Sequence, residues 1–193
     1  MRPAWKAAVL MTMATILATA CGSRGDDRAI PRPEAYPRIS MPDSSYTLLD
    51  VRGTKFEINS AATVDSASTG TSGSWITLFY PGVDCADIYL TLSISTPDSI
   101  LSMMDNRRQR MSLNLSGSKA ILTELTSAGG WEAEMITGSE ALSTPVQILA
   151  RKDDRMLSGT LYLRVPPATD PDSVRPITDA AGRDMLTLLK SLR

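Results

Sequence analysis

The pattern of apolar and polar positions comes nearest to period two over WITLFYP (75–81) and ADIYLTLSIS (86–95), which are rich in β-branched and aromatic side chains. Near period-two spacing of this kind predicts half-buried strands, and the intervening Gly82-Val83-Asp84-Cys85 predicts a hairpin between them. Upstream, YTLLDV (46–51) and KFEIN (55–59) flank Arg52-Gly53-Thr54 and predict an earlier hairpin. The small and polar run SAATVDSASTGTSGS (60–74) reads as a flexible loop or a weak strand flanked by loop. Downstream, AILTEL, WEAEMITG, PVQILARK and RMLSGTLYLRV predict up to four further strands, the last two joined by a turn at Asp153-Asp154.

Two segments change period. Thr96-Pro97-Asp98 is a helix start, with Thr96 as N-cap, Pro97 at the first helical position and Asp98 near the positive end of the dipole. Ile100, Leu101, Met104, Met111 and Leu115 then recur near helical spacing, predicting a helix to about residue 116 with a break near Asn106. At the C-terminus Ala181, Met185, Leu188, Leu189 and Leu192 form an apolar stripe, predicting a helix that starts near Thr178 and covers the sheet. The expected class is α+β: a largely antiparallel sheet flanked by an internal and a C-terminal helix, in a single domain over 46–193.

The first 45 residues follow a different pattern. Arg2 and Lys6 precede an uncharged, mostly apolar run from Ala7 to Leu17. Eleven residues are too few to span a bilayer, which takes about 20, so residues 1–20 read as an export signal. Leu17-Ala18-Thr19-Ala20-Cys21 resembles the lipobox of bacterial lipoproteins, which implies lipidation of Cys21 as the first mature residue. The alternative is an ordinary signal peptide cut after Ala18-Thr19-Ala20, leaving an unmodified cysteine. Gly22 follows the cysteine where an inner-membrane retention signal would have aspartate, which favours the outer membrane and its periplasmic face. Residues 21–45 carry Pro31, Pro33, Pro37 and Pro42 and read as a semi-rigid tether.

Composition narrows the chemistry. The 193-residue chain has a formal net charge of −1, with arginines scattered among acidic residues, so it lacks the basic footprint of a nucleic-acid binder. It contains no histidine, which removes every Ser-His or Cys-His nucleophile pair and the commonest general base. Two cysteines give neither a disulfide framework nor a thiolate metal site, so neither metal nor cofactor is expected. Cys85 is expected to be buried or shielded at its hairpin.

The remaining candidates are few. Ser116-Gly117-Ser118-Lys119 matches the S-x-x-K pair of penicillin-binding enzymes, but no K-T-G or S-D-N accompanies it. Arg107, Arg108 and Arg110 cluster on the internal helix, as a contact for an acidic head group or protein partner or simply as a solvated face. Glu132 and Glu134 alternate on a strand and share a face, where a pair could do acid/base work or merely meet solvent at a strand edge. Trp75 and Trp131 are expected in the core, the alternative being platforms on which a ligand stacks.

The order of short motifs resembles the gliding-motility-associated lipoprotein GldD family of Bacteroidetes. The resemblance rests on Pro31-Arg32-Pro33 with Tyr36, Arg38 and Ile39; on Phe56-Glu57-Ile58; and on Trp75, Phe79 and Pro81. It continues in the Leu157-x-Gly159-x-Leu161-Tyr162 strand and in Asp184-Met185 of the last helix, with Asp105-Asn106-Arg107 nearest to an acidic-Ser-Arg motif. The resemblance implies a non-catalytic envelope lipoprotein that assists gliding motility and type IX secretion, with other envelope proteins as partners. By analogy of fold, the Leu-x-Gly-x-Leu-Tyr strand and last helix are similar to a Mog1/PsbP-like sandwich. The alternatives are a general periplasmic binding lipoprotein and a Ser-Lys hydrolase.

Overall fold

The structure is a computed structural model that describes residues 45–69, 72–115, 119–138 and 141–193. Backbone contacts divide the chain into Met1–Pro37 and Arg38–Arg193, and all described residues belong to the second unit. The elements run β1 (Tyr46–Val51), β2 (Thr54–Asn59), β3 (Thr63–Thr69), β4 (Gly73–Phe79), β5 (Ala86–Ile94), α1 (Pro97–Asn114), β6 (Ala120–Thr126), β7 (Glu132–Gly138), β8 (Val146–Lys152), β9 (Arg155–Leu163) and α2 (Pro171–Ser191).

Strands β1 and β2 pair as a separate hairpin, and the other seven form one antiparallel sheet in the order β3-β4-β5-β9-β8-β7-β6. The class is therefore α+β, as the periodicities predict. Arg52 and Gly53 both take positive φ (53° and 79°) between the paired Val51 and Thr54. Two left-handed residues give the turn whose twist matches a two-residue hairpin, so the turn ends before Thr54, which is already in the strand.

The sheet has two unlike faces. Ile76, Leu78, Ile88, Leu90, Leu92, Ile148, Ala150, Leu157 and Leu161 point to one side, where they join α2 and Phe56 and Ile58 of the hairpin in the main core. On the other side Leu149 and Met156 pack with Ile100, Met104 and Met111 of α1 in a smaller cluster. Helix α1 lies over β8 and β9, which leaves the same face of β4 and most of β5 without a covering element among the described residues.

The C-terminus closes the main core. Lys55 and Arg193 exchange backbone hydrogen bonds at 2.9 Å, the Glu57 N–H donates to Ser191 Oγ at 2.7 Å, and the Ser127 hydroxyl donates to the Leu192 carbonyl at 2.8 Å. The last residues are thus gripped by β2 on one side and the β6–β7 turn on the other.

Of the two readings of residues 60–74, the strand flanked by loop is the one the structure has: residues 63–69 form an edge strand paired with β4 over its whole length, because ladder bonds depend on the backbone. Two expectations need correction. Helix α1 runs unbroken through Asn106. Helix α2 begins at Pro171, well before Thr178, with Asp170 as N-cap accepting from the Asp172 N–H at 3.0 Å. Pro176 lies inside its second turn, where one missing N–H is tolerated because Val174 and Ile177 are buried on the sheet.

Gly159 explains the Leu-x-Gly-x-Leu-Tyr pattern of β9. A Cβ there would stand 2.6 Å from Leu90 Cδ2 and 2.7 Å from Ile148 Cγ1, the side chains of the two neighbouring strands that meet above it. Replacing Gly159 with alanine should lower the unfolding free energy by about 1–3 kcal/mol through overpacking, measured by urea denaturation. An unchanged midpoint would mean that Leu90 and Ile148 move aside freely.

Candidate functional site

Cys21 lies outside the described residues, as do Ser116, Gly117 and Ser118 of the S-x-x-K match; Lys119 is exposed just before β6. The three arginines of α1 are described, and the helix sends them to different places. Consecutive helical residues diverge by about 100°, so Arg107 and Arg108 fall on opposite flanks of the Met104–Met111 stripe. Arg108 turns towards β7, where its Nε donates to Glu134 Oε1 and Oε2 at 3.0 and 3.1 Å, and its Nη1 reaches Asp105 Oδ1 at 3.4 Å. The Glu134 hydrogen bond, first, and the neighbouring carboxylate charges hold its guanidinium above the ordinary arginine value.

Glu134 is itself buried, on an interior strand, so the expectation of a solvent-facing edge is corrected. Glu132 and Glu134 do share a face, but each is already matched by an arginine, Glu132 by Arg151 and Glu134 by Arg108. Two carboxylates tied up in this way are structural partners.

Arg107 and Arg110, three residues apart, share the opposite flank of α1. Neither has a carboxylate partner among the described residues. They border a groove of about 270 Å³ between the second half of α1 and the sheet. Its floor comes from β8 and β9, where Gln147 lies opposite Thr160. Ser158 and Tyr162 complete it. Gln147 is only 2% exposed, and its Nε2 finds no hydrogen-bond partner among the described residues.

The groove opens onto the uncovered part of the sheet. There Trp75 (50% exposed), Phe79 (38%), Tyr89 (44%) and Tyr162 (44%) stand on the same face of β4, β5 and β9. Trp131 is in the core as expected, but Trp75 is not: Ile76 and Leu78 take the core side of β4, and alternation turns Trp75 and Phe79 outward. The Tyr89 and Tyr162 rings meet edge to face with centroids 5.4 Å apart. Asp87 and Arg164 pair at the end of this strip, the Arg164 Nη2 donates to the Asp84 carbonyl at 2.5 Å, and the Tyr89 hydroxyl reaches Asp87 at 3.3 Å. Hydrogen bonding to Asp87 is the main cause of an upward shift of the Arg164 pKa. Cys85, in the β4–β5 loop, is a half-buried free thiol packed against the core.

Residues 26–193 match the model of the gliding motility lipoprotein GldD family. The chain belongs to that family. The GldD match takes in every described residue, including the α1 groove and the aromatic strip. No curated protein matches the chain. Membership of a lipoprotein family associates the protein with the cell envelope, and among the described residues no helix is long and apolar enough to cross a membrane. GldD is a family of motility lipoproteins and not a known enzyme family.

One further polar cluster is buried, on the opposite side of the sheet. Asp184 of α2 accepts from the Tyr46 hydroxyl at 2.9 Å, from Asn59 Nδ2 at 3.1 Å and from the Tyr80 hydroxyl at 2.5 Å. Three neutral donors converge on one carboxylate, which satisfies it without a cation and ties the hairpin to α2 and the end of β4. Burial, followed by the hydrogen bond to Asp184, pushes the Tyr80 phenol far above its ordinary value, and burial raises Tyr46 as well. A folded-state pKa raised above the unfolded one gives stability that is whole below about pH 10 and is lost as pH climbs above it. Thermal melts should therefore fall steeply above about pH 10 in the wild type and more gently in Tyr80→Phe, which should be weaker by about 1.5–3 kcal/mol at pH 7. Identical alkaline slopes would show that Tyr80 does not carry this dependence.

Proposed function

We propose that this GldD-family protein is a non-catalytic, lipid-anchored accessory factor for gliding motility and type IX secretion, held at the periplasmic face of the outer membrane. The family supports motility and the envelope. The single observation in the geometry that supports an accessory role is the open strip of Trp75, Phe79 and Tyr89 on central strands, rimmed by the Asp87–Arg164 pair. An aromatic centre with a polar rim is the composition of a protein-docking surface. Because β4 and β5 are interior strands with filled ladders, a partner would meet side chains and not add a strand. The partner is another envelope component of the motility and secretion machinery.

Deleting the gene in the host should abolish export of type IX cargo, and plasmid-borne wild type should restore it. The Trp75→Ala/Phe79→Ala/Tyr89→Ala variant, changed only at exposed positions, should accumulate and melt normally yet fail to restore export or to co-purify envelope partners in mild detergent. Unchanged cargo export in the deletion strain would refute the proposal. For the anchor, palmitate label should enter the wild-type protein and be lost in Cys21→Ala; label that persists in the variant would rule out lipidation at Cys21.

A further inference from the structure

The groove between α1 and the sheet has features that the docking strip does not use. Its walls hold two arginines without carboxylate partners among the described residues, three residues apart on one helix face. Its floor holds Gln147, buried to 2% exposure, with an amide donor that no described residue satisfies. Ser158 and Thr160 add hydroxyls, and Tyr162 adds an aromatic wall. Buried amide donors are almost always partnered, and a turn of the Gln147 side chain towards the groove that it lines would bring this sealed donor to a ligand oxygen.

The same pair of arginines also borders a second depression, on the side of Ser93, Ser102 and Asn106, so the cationic centre is flanked by hydroxyl and amide groups in both directions. We propose that this groove binds a saccharide that bears a carboxylate. Two guanidinium groups suit a planar carboxylate, because each can donate two parallel hydrogen bonds to it. The hydroxyls of a sugar both donate and accept, which answers the mixture of Gln147, Ser158 and Thr160, while the C–H face of its ring packs against Tyr162.

A bare phosphate would use the arginines and leave the aromatic wall idle. An extended acidic peptide would look for free backbone groups, but β8 and β9 are interior strands with none to offer. The volume, about 270 Å³, lies just below the ~300–1,000 Å³ of sites for drug-sized ligands and suits one ring at a time.

The inference goes beyond the accessory role and does not depend on it, since saccharide binding needs no partner protein. The test is calorimetry on the full-length protein in mild detergent with trigalacturonate, the neutral galactose trisaccharide, inorganic phosphate and a short polyglutamate peptide. Trigalacturonate should bind saturably and at least about tenfold more tightly than the neutral trisaccharide, a gap of about 1.4 kcal/mol. Arg107→Ala/Arg110→Ala, at a half-buried and an exposed position, should abolish this binding, and Gln147→Leu should weaken it while preserving a cooperative melt. Arg175→Ala, an exposed arginine of α2 outside the groove, should bind as the wild type does. Equal affinity for the neutral trisaccharide, full competition by phosphate, equally tight binding of polyglutamate, or no binding of trigalacturonate would each overturn the proposal.

Discussion

Much of the molecule hangs on the carboxylate of Asp184. It sits on the inner side of α2 and takes hydrogen bonds from Tyr46 on β1, Asn59 at the end of β2 and Tyr80 just after β4. Apolar contact alone would allow an amphipathic helix and a loose hairpin to slide over a sheet in several registers, since dispersion and burial are not directional. A buried carboxylate is directional, because its lone pairs must be met where they stand. Asp184 therefore fixes where the hairpin sits on α2, and the reciprocal bonds between Lys55 and Arg193 then lock the other end of the same interface.

The asymmetry of the sheet follows from that placement. With α2 and the hairpin on one side, the large aliphatic residues of β4, β5, β8 and β9 converge there, and Gly159 lets Leu90 and Ile148 close over β9. Among the described residues the other side has only α1, whose buried residues are Ile100, Met104 and Met111. So short an apolar stripe covers two strands and leaves the aromatic positions of β4 and β5 in solvent. The groove lies at the boundary, where the helix ends its cover and Arg107 and Arg110 face the floor of the sheet.

The sequence makes some of this legible. Alternation marks the strands wherever β-branched and aromatic residues dominate, and the Thr96-Pro97 start and the apolar stripe of α2 mark the helices. It leaves β3 open between loop and weak strand, because Ser, Thr and Ala carry no hydrophobic period, and it fails at the start of α2, where the apolar stripe that marks the helix begins only at Ala181. It also leaves the direction of β4 open: Trp75 and Phe79 on one face are about as apolar as Ile76 and Leu78 on the other, so the run marks a strand without saying which face is buried. The arginine cluster was visible in the sequence, but its division between Glu134 and the groove depends on where α1 lies on the sheet. Gln147 gave no signal, because an amide in an apolar strand gains meaning only from neighbours distant in the chain.

Tyr162 belongs to both surface features. It walls the groove and, through its edge contact with Tyr89, it also forms one end of the aromatic strip. Any occupant of the groove that packs on this ring therefore changes the surface a docking partner meets, without a change of fold. Linkage makes the effect mutual: whatever a groove ligand does to the affinity for a partner on the strip, the partner does equally to the affinity for the ligand. The two rings meet edge to face on one side of the sheet, and the Asp184 anchor lies on the other.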